Sequence, residues 1–135
     1  MKIAEAVLRK LKRNNAEIDL IFLSSQKIRA LNRVYFDSDT ATDVIAFPSG
    51  GEAGEAFHAA ARRAGGRFFL GEITISSDRA AVNARVYGTS FMEEITLYVI
   101  HGILHLLGYE DITEEGRKRM RRKENEFLQE AGRYP

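Results

Sequence analysis

The sequence predicts a single α+β domain in which a small mixed β-sheet is packed by helices. Five segments carry apolar residues at helical spacing, whereas three short segments carry them at strand spacing. The two kinds of segment do not alternate in a strict βαβ order, which argues against a doubly wound sheet. The 135 residues are 44% hydrophobic and 29% charged, an ordinary composition for one globular unit. We therefore assign residues 1–135 to one domain without internal repeats.

The first half of the chain contains two predicted helices and two predicted strands. Residues 1–15 form an amphipathic helix, because Ile3, Val7, Leu8 and Leu11 share one face. The stretch EIDLIFLS alternates, with Ile18, Leu20 and Phe22 on one side, and is a strand. A serine-capped helix follows in SSQKIRALNRVYF. TDVIAFP is a short buried strand that Pro48 stops.

The second half supplies the third strand and three more helices. Residues 49–66 are bracketed by glycines and read as a surface excursion, after which RFFLGEITIS is a strand. SDRAAVNARVYG is a helix that Gly88 closes, and SFMEEITLYVIHGILHLLG is a longer one. Because that longer helix is apolar on nearly all sides in its second half, we expect it to be central.

The last helix is predicted over residues 112–132. Thr113 is placed to cap its start, and acidic residues occupy the first turn. Its buried stripe is predicted to contain Ile112, Met120, Phe127 and Leu128.

Composition excludes several classes of protein. The chain has no cysteine, so disulfides and thiolate metal sites are excluded. No apolar run approaches the roughly 20 residues that span a bilayer, and the N-terminus has no signal-peptide core, so we expect a cytoplasmic protein without membrane partners. The net charge is only +1, so any affinity for nucleic acid must come from a local patch.

The segment HGILHLLGYED, residues 101–111, predicts a metal site on the central helix. His101 and His105 are four residues apart and project from one helical face, so two imidazoles can bind one ion. Gly108 is suited to end the helix in the left-handed conformation, which lets Asp111 return a carboxylate as third ligand. Three protein ligands leave one position open, as catalytic zinc requires.

This ligand spacing is that of metzincin proteases, but one difference disfavours proteolysis. Those enzymes carry a glutamate directly after the first histidine as general base, and this chain has Gly102 there. Two explanations of the glycine stand side by side. It can let an RNA backbone approach, or it can simply pack against a neighbouring strand.

The run RKRMRRK, residues 117–123, is the main candidate for a basic patch. Its six cations surround much of the last helix, so part of the run is expected to be an ordinary solvated face. We select Arg121 and Arg122 as the residues of this run that bind single-stranded RNA through its phosphates. Such binding should depend on the salt concentration, more steeply for each phosphate that a cation neutralises.

Three blocks of the sequence resemble the YbeY family of metal-dependent endoribonucleases. HGILHLLGYED is similar to the family signature His-Gly-x-Leu-His-Leu-x-Gly-Tyr-Asp-His, and LGEITIS resembles Leu-Gly-Asp-Ile-x-Ile. LNRVYFDSDTATDVIAFP resembles Leu-Asn-x-x-Tyr-Arg-x-x-Asp-x-Pro-Thr-Asp-Val-Leu-Ser-Phe-Pro. The resemblance implies an α+β fold with zinc on the central helix and cleavage of single-stranded RNA. It further implies maturation of the 3′ end of small-subunit ribosomal RNA, ribosome quality control, and partners among small ribosomal subunit proteins and the assembly GTPase Era.

The chain departs from the family pattern at three positions. Asp111 replaces the third histidine of the signature, which lowers the charge of the site, weakens the acidity of a bound water and allows divalent metals other than zinc. Phe36 replaces the family's arginine, and Arg33, one helical turn earlier, is our candidate for its catalytic and substrate-binding role. Glu72 replaces an aspartate with the same charge.

Two functions from other classes remain as alternatives to the endoribonuclease. The chain can be a non-catalytic or weakly catalytic ribosome-assembly factor that keeps the fold and binds RNA while Asp111 and Phe36 weaken the chemistry. A metallopeptidase is the other alternative, which Gly102 disfavours.

Overall fold

A computed structural model describes residues 2–10, 16–36, 43–48, 68–109 and 113–131 of the chain. The described residues form a three-stranded sheet and five helices. The strands are β1 (Ala16–Leu23), β2 (Val44–Pro48) and β3 (Phe68–Ser76). The helices are α1 (Lys2–Lys10), α2 (Ser25–Phe36), α3 (Ser77–Tyr87), α4 (Phe91–Leu106) and α5 (Glu114–Ala131). The predicted α+β class and the mixed sheet are confirmed.

The sheet has β3 at its centre, with the order β1-β3-β2. Strand β1 runs parallel to β3, and β2 runs antiparallel to it. Ile73 and Ile75 of β3 are fully buried, as expected for a central strand with neighbours on both edges. On edge strand β1, Ile18 and Leu20 pack against the core as predicted, whereas Phe22, at the far end of the same side, is half exposed.

Strand β3 lies close to the central helix at the point where its register with β1 shifts. Glu17 pairs with Phe69 but Ile18 pairs with Gly71, so one extra residue of β3 stands between these pairs. Gly71 has φ = 151°, and a Cβ there would lie 2.4 Å from the carbonyl oxygen of Phe47 and 2.8 Å from Leu106 Cδ2. Only glycine fits this backbone and this approach, which explains the glycine of LGEITIS.

Helix α4 is the central helix, as its sequence predicts. It begins at Ser90, whose hydroxyl accepts a hydrogen bond from the backbone N–H of Glu93. Most of its residues are buried, among them Val99, Ile100 and Ile103 with no exposed surface. The helix contacts α1, α3, α5, β2 and β3, so it fixes the position of every neighbour that borders the site.

Helix α5 packs on α4 through the stripe that the sequence predicts. Met120 and Phe127 are buried and Leu128 packs at the edge of the core, while Ile112 lies outside the described residues. The predicted cap is present, because the hydroxyl of Thr113 accepts a hydrogen bond from the backbone N–H of Gly116. The face of α5 opposite this buried stripe is exposed and can carry charged side chains.

The other predicted elements are present where the structure describes them, but β2 is an edge strand with only Ile45 buried, so the prediction of a buried strand there is wrong. On α1, Val7 and Leu8 are buried as expected, whereas the side chain of Ile3 and the whole of Leu11 lie outside the described residues. The predicted excursion, residues 49–66, also lies outside them. None of the described helices combines the length and the hydropathy needed to cross a bilayer.

Candidate metal centre

Helix α4 presents His101 and His105 on the same side, as their spacing predicts. Their Nε2 atoms lie 3.0 Å apart, and their rings meet edge to face with centroids 4.6 Å apart. Two nitrogens bound to one tetrahedral zinc ion at its usual distance are about 3.3 Å apart. The two imidazoles therefore fit a shared ion with only a small adjustment.

The third predicted ligand, Asp111, lies outside the described residues. Within the residues that the structure describes, no third histidine or acid joins the pair in a ligand cluster. The chain does reverse at the predicted point, because Gly108 has φ = 98° and the N–H of Tyr109 donates to the carbonyl of Leu104. Asp111 follows this reversal by three residues, and its role as ligand stays a prediction.

The structure distinguishes between the two explanations of Gly102. The residue is buried, and a Cβ at this position would lie 2.6 Å from Ile73 Cγ2 and 2.9 Å from Ile73 Cδ1. Gly102 therefore faces strand β3, and the suggestion that it admits an RNA backbone is wrong. A glutamate at this position would point into the sheet and not toward the two histidines, so this helix cannot carry a general base in the manner of the metzincins.

The two histidines lie in a cleft of about 500 Å³ between α4, α5 and the start of β2. Its lining combines charged and apolar side chains from all three elements: Asp43, Val44, Leu97, Tyr98, His101, His105, Arg117, Met120, Arg121 and Glu124. Imidazoles, carboxylates and guanidinium groups thus share one concave surface, the arrangement expected of a site that binds an ion together with an anionic ligand.

Sequence reasoning missed Glu124, which contacts one of the histidines directly. Oε1 of Glu124 lies 2.5 Å from Nδ1 of His101. The two residues are 23 positions apart, so no spacing rule joins them. A helical projection of α5 could have indicated Glu124 as a candidate. In that projection Arg117, Arg121 and Glu124 lie on the same side of the helix as buried Met120.

The basic run on α5 divides into two sides, as the sequence analysis expects. On the outer side, Lys118 pairs with Glu114 and Arg119 with Glu115, at 3.6 and 3.9 Å. These exposed pairs are worth little to stability, but they partly neutralise the charge of that side. Arg121 instead borders the cleft, where it makes no ion pair with another described residue.

The other two predicted substrate-binding arginines lie elsewhere. Arg122 is exposed on α5 but is not among the residues that line the cleft. Arg33 is exposed in the last turn of α2 and does not line the cleft either. The side chain of Phe36 and residues 37–42 lie outside the described residues. The role of Arg33 stays a prediction.

The wall of the cleft that faces α3 is held by a buried polar contact. Asn83 donates a hydrogen bond of 2.6 Å from its Nδ2 to the hydroxyl oxygen of Tyr98. Burial raises the pKa of the Tyr98 phenol above its usual value of 10.0, and the hydrogen bond from Asn83 opposes this effect only in part. Arg79 donates from Nε to Asp43 Oδ1 at 3.1 Å, which holds the start of β2 against α3.

Comparison with known proteins places this geometry in a family. The family model described as Endoribonuclease YbeY matches residues 1–132. The chain is 39% identical over 128 residues to an endoribonuclease YbeY of Aquifex aeolicus, covering 94% of this chain and 78% of that protein. It is 42% identical over 120 residues to the protein of the same name from Desulforamulus reducens, covering 87% and 74% of the two chains.

A solved structure supports the same assignment at the level of the fold. The solution structure of a Thermotoga maritima protein superposes with a TM-score of 0.65 and 27% sequence identity, covering 98% of this chain and 79% of that one. The likeness extends over all the elements that position the two histidines. Because the family model matches residues 1–132 of this chain, the chain belongs to the YbeY family of endoribonucleases.

Proposed function

We propose that this chain is a metal-dependent endoribonuclease that cuts single-stranded RNA, with zinc as its ion. The observation that carries the proposal is the convergence of two imidazole nitrogens, 3.0 Å apart, in a cleft that Arg121 also lines. Hydrolysis of a phosphodiester needs a nucleophile and neutralisation of charge on the phosphoryl oxygens. A site with ion-binding nitrogens and a guanidinium group is suited to both needs.

His101 and His105 would hold the ion together with Asp111. A divalent ion bound there supplies a nucleophile from water and polarises the phosphoryl group. The two histidines stand on a helix that is buried on its other sides, so their separation is fixed by packing. Arg121 lies on the opposite wall of the cleft, where its guanidinium can bind a phosphate oxygen and set the position of the backbone to be cut.

The arrangement of cations favours a single strand as substrate. The cleft-lining arginines belong to one side of α5, so they follow one phosphate backbone and not two. Recognition through phosphate contacts carries little information about base sequence. We therefore expect cleavage that depends on strandedness more than on sequence.

The family resemblance supplies the cellular part of the proposal. We place the chain in the cytoplasm, in maturation of the 3′ end of small-subunit ribosomal RNA and in ribosome quality control. Its partners would be that RNA, small ribosomal subunit proteins and the assembly GTPase Era.

The test starts from protein purified without a metal-chelating column. The metal content is measured by elemental analysis, and the ion is then removed and replaced by zinc or manganese. Cleavage of an end-labelled oligoribonucleotide is followed for the single strand, the matching duplex and the DNA of the same sequence. His101→Ala and His105→Ala are compared with His58→Ala, which changes the one remaining histidine of the chain.

We expect zinc-dependent cleavage of the single strand alone, lost in both variants of α4 and retained in His58→Ala. RNA binding without cleavage in any metal would contradict the enzymatic proposal and favour a non-catalytic assembly factor. Cleavage of a peptide substrate, with none of RNA, would favour a metallopeptidase.

A further inference from the structure

Glu124 differs in its surroundings from the two acidic residues that begin helix α5, Glu114 and Glu115. Its side chain is only 15% exposed, whereas those of Glu114 and Glu115 are 79% and 85% exposed. A buried carboxylate loses its hydration and needs hydrogen-bond donors in compensation. The partner that the structure provides is Nδ1 of the His101 ring, at 2.5 Å.

This contact determines which nitrogen of His101 carries the proton. An ionised carboxylate can only accept, so Nδ1 of His101 must donate. The Nε2 atom of the neutral ring then keeps its lone pair, and Nε2 is the atom that lies 3.0 Å from Nε2 of His105. A histidine binds a metal through such a lone pair, so the contact turns the metal-binding nitrogen of His101 toward His105.

The contact also fixes the orientation of the ring. Rotation of an imidazole about its terminal torsion is only weakly restricted by the side chain itself. Glu124 belongs to a different helix, and Met120 and Phe127, on either side of it, are 2% exposed in the core. The carboxylate is therefore held on a rigid support, and it in turn holds the imidazole at 75° to the ring of His105.

We propose that Glu124 is a positioning residue for the metal centre, holding His101 in the tautomer and orientation in which Nε2 faces the ion. This inference rests on the proposed metal-dependent function. Glu124 touches neither the ion nor the RNA in this role, because its contact is to the far side of the imidazole ring. Loss of such a hydrogen-bonded partner weakens metal binding by roughly 10- to 100-fold in other proteins.

The experiment compares Glu124→Gln with Glu126→Gln, which makes the same change on the same helix at an exposed residue paired with Lys123. Zinc affinity is measured by competition with a chromophoric chelator. The tautomer of His101 is measured in the metal-free protein by long-range ¹H–¹⁵N NMR at a pH where the rings are neutral. We expect Glu124→Gln to bind zinc about 10- to 100-fold more weakly and to lose the pure Nδ1–H form, and Glu126→Gln to match the parent.

The outcomes separate this inference from the proposed function. A parent protein that binds no zinc overturns both. A parent that binds zinc, with Glu124→Gln binding it equally well, overturns the inference alone. The tautomer in the parent protein is a second measurement that needs no variant: a proton on Nε2 of His101 in place of Nδ1 also overturns the inference.

Discussion

Two sides of helix α4 carry out different tasks, although their residues alternate along the chain. His101 and His105 face the cleft, and Gly102 and Leu106, one position later in each case, face strand β3. On the strand side there is no space for even one added carbon at Gly102. On the cleft side both histidines are only partly buried, and His101 contacts Glu124 of α5. The difference teaches that the strand side fixes the helix, and that the cleft side presents the two histidines in the geometry fixed in this way.

Gly102→Glu should have the largest effect, and it should act on folding. The new carboxylate would enter the space of Ile73, adding about 1–3 kcal/mol of overpacking to the several kcal/mol that an unpaired buried charge costs. Since a domain of this size is stable by only about 5–15 kcal/mol, most of its stability should be lost. Urea unfolding measures this effect, with His105→Ala as the cleft-side control that should lose far less stability, because His105 is only partly buried.

A double-mutant cycle sharpens the same point. Gly102→Ala and Ile73→Ala each change one side of the contact, and the alanine at 102 fits only when the isoleucine side chain is absent. We expect the pair to be less destabilising than the sum of the two single variants, by about 1–2 kcal/mol. Strict additivity would mean that Gly102 and Ile73 do not limit each other.

Asp111→Ala should show the opposite behaviour, a loss of function without a loss of fold. Two imidazoles on one helical turn hold an ion weakly, so zinc affinity should fall by more than the roughly 10- to 100-fold seen when a supporting partner is removed. Titration of zinc against a competing chelator measures this, and urea unfolding of the metal-free protein checks the fold. Glu110→Ala is the matched control, and if it loses affinity while Asp111→Ala keeps it, Glu110 is the third ligand.

Arg121 and Arg122 allow the same comparison on helix α5. Both are exposed arginines, but only Arg121 lines the cleft. Removing one contact between a cation and a phosphate of single-stranded nucleic acid lowers the magnitude of the slope of log K against log salt by about 0.7. Arg121→Gln should show this change in oligoribonucleotide binding, while Arg122→Gln keeps the parent slope. Equal changes in both variants would mean that RNA covers more of α5 than the cleft side.

The local parts of this fold could be predicted from the sequence, because they depend on neighbours along the chain. The capping by Thr113, the reversal at Gly108 and the shared face of His101 and His105 follow from rules that span a few residues. The contact of Gly102 with Ile73 could not be decided, because it depends on how closely α4 crosses the sheet.

The same limit applies to the residues that complete the site. Glu124 reaches His101 from another helix, and no pattern within either helix reports the distance between them. A helical projection of α5 places Arg117 and Arg121 on the side of Met120, but only the packing of α5 on α4 shows that this side borders the histidines.

Tyr98→Phe should have a smaller effect that depends on pH. Because burial raises the pKa of Tyr98 in the folded protein, the unfolded chain gives up this proton first as the pH rises through 10. The contribution of Tyr98 to stability is therefore complete below pH 10 and declines above it, toward the raised pKa of the folded state. Tyr98→Phe should be less stable than the parent near neutral pH, because Asn83 then loses its hydrogen-bond acceptor. Between pH 9 and pH 11, however, the variant should lose less further stability than the parent.

Urea unfolding across this pH range measures the difference. The control is Tyr87→Phe, which removes an exposed phenol at the end of α3 and reports what the loss of any tyrosine does. If Tyr98→Phe and the parent decline in parallel, burial of the phenol does not couple this wall of the cleft to pH.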